Sequence, residues 1–272
     1  MLLVLMVGFP TLVALLIQAG AGDSSLIHAP TGAELTRILL RWFHFLAGIT
    51  WIGILYFFNL VNVNFMKALD APTKGKVVPE LMPRALWWFR WGAVVTVLVG
   101  VAYYAMYMLG SDARNAGLSA WGAFAKWLGF VVIFWAVIYG LLQPVSGTLN
   151  KGAVLAVLIA IDVLVLAAVI IRVFNVPTPT GPAFSNKSLS IGIGGGLGVI
   201  MLLNVWGIIW PAQKRIIAWT KENAEKGTAM PPESAKLARR AFLASRTNAW
   251  LSLPMLFFMA ASHGDYIWFG PK

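Results

Sequence analysis

Seven apolar runs divide the chain, at about 2–20, 36–65, 85–110, 121–143, 152–173, 189–212 and 247–263. Each approaches or exceeds the roughly 20 residues a helix needs to cross a hydrocarbon core. Alternation of period two is absent, so the pattern predicts an all-α fold: a polytopic transmembrane bundle of about seven helices in one domain, 1–272. The polar segments between the runs are short, except two that read as long basic loops, 66–84 and 213–245. Within the second, Pro231-Pro232-Glu233 predicts a short amphipathic helix, with Pro near its first turn and an acid at the positive dipole end. The first run is followed by Ala19-Gly20-Ala21-Gly22 but lacks the positive n-region of a signal peptide, so a retained transmembrane helix is expected. The second run, about thirty residues, would rise about 45 Å and must tilt or project from the bilayer.

Composition fits this pattern. Of 272 residues, 59% are hydrophobic and 11% charged, against about a quarter charged in soluble domains. Mean hydropathy is +0.77. The net charge of +11 belongs with membrane topology and anionic lipid, not with nucleic acid, since no soluble binding module carries it. With seven helices, 66–84 and 213–245 fall on one side, which the positive-inside rule makes cytoplasmic. The N-terminus is then inside and the C-terminus periplasmic, in a bacterial inner membrane. There is no cysteine, which excludes disulfides, thiolate metal sites and covalent c-type haem.

Candidate chemistry rests on three histidines, His28, His44 and His263. On this topology all three lie toward the outer face. A histidine within a bilayer is either used or hydrogen-bonded to a neighbouring helix, and both readings stand for His44. Used, it suits non-covalent haem b: His44 and His263 come from different helices and supply the minimum bis-histidine geometry for haem iron. Met255 and Met259 are further ligand types. Arg37, Arg41 and Arg172 are cations for haem propionates or anchors for lipid headgroups. A metal site of three histidines would need His28 to fold back onto the bundle. Asp162 lies mid-helix, where a cross-helix hydrogen bond is expected and proton or cation transport is the functional alternative. The stripe Asn59, Asn62, Asn64 suits a cavity or helix contact. Gly192, Gly194, Gly195, Gly196 and Gly198 give two overlapping G-x-x-x-G spacings that suit close helix packing first and close approach of a flat cofactor as the alternative. Asn204, Arg246 and Asn248 are expected to form a satisfied polar cluster. No residue pattern names a catalytic group.

The run 41–62, with Arg41-Trp42-Phe43-His44, resembles the membrane domain of the bacterial membrane-bound urate oxidase (urate hydroxylase) family, as do 86–91, 204–214 and 245–263. The Arg-Trp-x-His helix is distantly similar to helices of copper-resistance membrane proteins and of a haem-b-binding protoporphyrinogen oxidase family. In the urate enzymes a periplasmic cytochrome c domain follows; here no C-x-x-C-H is present, so the resemblance implies a separate cytochrome c as electron acceptor. It also implies His44 and His263 as cofactor-binding residues, with Arg41, Trp42 and Trp51 around them. A different class remains open: a non-catalytic membrane subunit of a larger respiratory or photosynthetic complex.

Overall fold

The computed structural model describes residues 30–143, 151–179 and 181–263, with Gly8 and Leu12 besides. The first apolar run, 2–20, and His28 lie outside the described residues. Two compact units are distinguished, Met1–Trp42 and Phe43–Lys272. In the first, Thr31 and Glu34 form a capping box: the Glu34 carboxylate accepts from the Thr31 N–H (2.7 Å), and the Thr31 hydroxyl accepts from the Glu34 N–H (3.3 Å). That box starts helix α1, Gly32–Tyr56.

The fold is all-α, a polytopic transmembrane helix bundle. A π-helical segment, Phe57–Asn62, and α2, Val63–Ala68, continue α1. Helix α3 is Ala71–Tyr107, α4 Leu109–Asn115, α5 Ala120–Leu141 and α6 Gly152–Phe174. A two-residue hairpin, β1 Pro177–Thr178 with β2 Gly181–Pro182, precedes α7, Asn186–Asn204. A second π-helical segment, Val205–Ile209, leads into α8, Trp210–Lys226, and the last helix is α9, Ser234–Ala261. Among the described residues, five continuous helices are long and apolar enough to cross a membrane: Gly32–Ala68, Ala71–Asn115, Ala120–Leu141, Gly152–Phe174 and Asn186–Lys226. Helix α9 is equally long, but its first half carries Lys236, Arg239, Arg240 and Arg246.

Neither basic segment is a long loop. The chain breaks only at Leu69 and Asp70, where Asp70 caps α3 by accepting from the Thr73 N–H (3.1 Å). The Thr73 hydroxyl and amide hold the Asp70 carboxyl below the usual carboxylate range. Helix α3 then runs through Pro79 and Pro83. Proline removes an N–H and usually ends a helix; packing on α8 overrides it here. A Cβ on Gly75 would lie 2.9 Å from that of Ala224, so the two backbones are close. The 213–245 segment is likewise helical on both sides of a turn at Gly227, whose φ of 69° suits glycine. Pro231 and Pro232 precede the long α9, not a short separate helix. The sequence pattern missed this because a helix pair outside the hydrocarbon needs only a narrow apolar stripe.

Helix α7 is the centre. Its two glycine stripes face different neighbours. A Cβ on Gly194 would meet Met255 O and Phe258 Cβ of α9, both at 3.0 Å. One on Gly192 would lie 2.8 Å from the Tyr104 hydroxyl of α3, and one on Gly196 would lie 3.0 Å from Val131 of α5. The overlapping motif therefore seats three helices on one.

Candidate functional site

Within the larger unit, the inner face of α1 is His44, Gly48, Trp51 and Leu55, at the spacing of one helix side. It packs antiparallel on α3. A Cβ on Gly92 would meet Ala47 O and Trp51 Cβ at 3.4 Å, and one on Gly48 would meet the Thr96 methyl at 3.6 Å. The Gly92, Thr96, Gly100 row lets the helices approach closely enough for a ring to reach backbone. His44 Nδ1 lies 2.9 Å from Thr96 O. A carbonyl only accepts, so the ring nitrogen donates and the proton sits on Nδ1. Nε2 then carries the lone pair. This is the arrangement by which proteins orient a ligating imidazole. Gly100 supplies the space: a Cβ there would lie 2.8 Å from His44 Cε1 and Nδ1. Two turns along, Trp51 is buried and its Nε1 has no hydrogen-bond partner among the described residues.

His263 lies just beyond α9, exposed, its Nδ1 3.2 Å from Ala260 O. The same argument makes that nitrogen a donor to Ala260 O. His44 is held by α3 and His263 by its own helix. Both lie toward one end of the bundle, where Ser185 donates to Asp112 (2.8 Å) and Asn186 donates to Ala261 O (3.0 Å). Arg41 is exposed and Trp42 half-buried on the first turn before His44; both belong to the smaller unit. Among the described residues no group of three or more His, Cys, Asp or Glu could hold a metal ion.

A polar layer crosses the interior on α9. Trp135 Nε1 donates to Asn204 Oδ1 (3.2 Å), Asn204 Nδ2 to Asn248 Oδ1 (2.9 Å), and Asn248 Nδ2 to Met201 O (3.0 Å). Asn59 Nδ2 reaches the Ser245 hydroxyl at 3.0 Å, and the Tyr56 and Ser252 hydroxyls are 3.0 Å apart. Asn59 and Asn62 are buried, whereas Asn64 is exposed, so the asparagine stripe turns inward only in part. Tyr56, Trp135 and Ser252 went unread in the sequence. The available signal was their spacing, Tyr56 three before Asn59 and Ser252 four after Asn248. Arg246 does not join the asparagines: its guanidinium lies 5.3 Å from the Phe242 ring. Arg90 of α3 stacks 3.8 Å from the Trp210 ring. Asp162 lies on the buried face of α6, and its Oδ2 has no partner among the described residues, so the cross-helix bond expected of it is not made by that oxygen.

A family model described as urate oxidase N-terminal matches residues 68–270. His263 falls within the match, and Arg41, Trp42, His44 and Trp51 precede it. No curated protein and no solved structure matches the chain. Since the match spans well over half of the sequence, the chain belongs to the urate oxidase N-terminal family.

Proposed function

We propose that this is a membrane redox protein of the urate oxidase type that binds non-covalent haem b near the periplasmic face of a bacterial inner membrane and passes electrons to a separate cytochrome c. The observation that carries the reading is His44: its Nδ1–H is committed to Thr96 O, and its Nε2 lone pair is left for a ligand. An oriented imidazole with a spare lone pair fits axial ligation of haem iron; Gly100 makes room for that ring against α3, and Trp51 keeps a buried N–H unspent. Haem iron would supply one-electron chemistry when bound. Here Thr96 fixes the tautomer, and the α1–α3 contact keeps the imidazole from rotating. His263 is the second ligand in this proposal. Urate oxidation is the reaction that the family membership supports.

The test is a pyridine-haemochrome and reduced-minus-oxidised spectrum of the purified chain. About one b-type haem per chain is expected, lost in His44→Ala and in His263→Ala. Well-folded protein without haem, or haem content unchanged in both variants, would sink the proposal and leave the non-catalytic subunit of a larger complex.

A further inference from the structure

Between the start of α6 and the basic half of α9 lies a groove of 330 Å³, lined by Gly152 and Leu155 on one side and Arg239, Phe242, Arg246 and Trp250 on the other. Arg239 and Arg246 are seven residues apart, two turns on one face of α9. Both guanidinium groups lie over the same ring: Arg239 at 5.7 Å and Arg246 at 5.3 Å from the centre of Phe242. Cation–π contact thus gathers two positive charges around one apolar side chain. Across the groove α6 begins at Gly152, whose first turn adds the positive end of the helix dipole. Among the described residues that line the groove there is no carboxylate.

The level of the groove identifies what would fill it. Helix α6 has a mean hydropathy of 3.2 from its first turns, so Gly152 marks one edge of the hydrocarbon. Helix α9 changes character at the same height: basic through Arg246, apolar from Leu251 on. A free anion would use only the arginines. A lipid would use them and also the Leu155 and Trp250 walls. We propose that this groove binds an anionic phospholipid, with its phosphate held between Arg239 and Arg246 and an acyl chain running along α6 beside Trp250.

The test is native mass spectrometry of the full chain in neutral detergent, titrated with phosphatidylglycerol or phosphatidylcholine. Wild type is expected to retain phosphatidylglycerol selectively. Arg239→Gln with Arg246→Gln is expected to weaken retention by about thirtyfold, the scale for losing two interfacial cations, while Arg84→Gln leaves it unchanged. Equal retention by the double variant, or equal loss in Arg84→Gln, overturns the site. Competition by millimolar inorganic phosphate would assign a soluble-anion site and overturn the lipid. A measurement that does not depend on the arginine variants folding is quenching by brominated-chain phosphatidylglycerol. The emission lost between wild type and Trp250→Phe should be strongly quenched; an unquenched Trp250 also overturns the proposal.

Discussion

His44 and Asn248 are both polar side chains deep in long helices, and the fold treats them differently. Asn248 is fully buried with both ends of its amide in use: its oxygen accepts from Asn204 and its nitrogen donates to Met201 O. Asn204 is equally spent, between Trp135 and Asn248. His44 commits one nitrogen to Thr96 and keeps the other. A saturated network specifies how helices α5, α7 and α9 meet. A half-used imidazole, fixed in direction, specifies little about packing and is available for chemistry. Removing Asn248 should therefore damage the fold, and removing the support of His44 should damage only its ligand.

The largest expected effect is at Asn248. Asn248→Leu orphans the buried Asn204 Nδ2 and takes one of two donors from Met201 O, which still accepts from the Val205 N–H. With 1–3 kcal/mol for the orphaned amide and about 1 kcal/mol for the lost second bond, the loss is about 3 kcal/mol. Thermal melting of the detergent-purified chain should fall by several degrees and the folded yield should drop. A variant that melts like wild type would remove the structural half of the contrast.

Gly100→Ala sharpens the other half. The new Cβ would stand 2.8 Å from the His44 ring, so the imidazole must shift and its bond to Thr96 must weaken. Loss of an orienting partner typically lowers metal affinity by about ten- to a hundredfold. Haem retention on dilution or competition should fall by that order, while the melting temperature of haem-free protein moves little. Unchanged retention would mean that Thr96 and Gly100 do not position the ligand.

The sequence made one side of this contrast easier to see than the other. Hydrophobic runs announce membrane helices because bilayer thickness fixes their length, and a histidine in such a run stands out singly. The glycine stripes of α7 were legible as packing, though not which stripe faces which helix, because that depends on three partners distant in sequence. Trp135 gave no sign of its role: an indole on an apolar helix reads the same whether its N–H faces lipid or Asn204. The helical nature of 71–84 and 213–226 was hidden by prolines and lysines, whose local preference is overridden by the α3–α8 contact at Gly75 and Ala224. Thr96 was invisible as a partner, since it acts through its carbonyl, an atom every residue has.

Asp162 completes the series as the group with least support, and its predicted effect is the smallest. It shares the buried face of α6 with Leu155, Ile159, Leu166 and Ile170, and its Oδ2 finds no partner among the described residues. If the carboxyl serves packing alone, an apolar side chain of similar size removes an unpaired polar atom and fills the same space. Asp162→Leu should then stabilise the protein by about 1 kcal/mol, a rise of about 2–4 °C for a chain of this size, with haem content unchanged. Asp162→Asn keeps a polar group of the same shape and should melt close to wild type. If Asp162→Leu instead lowers the melting temperature, the carboxyl is engaged by a proton, ion or water pathway, and its place beside Asn248 and His44 changes from an unpaired remnant to a second working group.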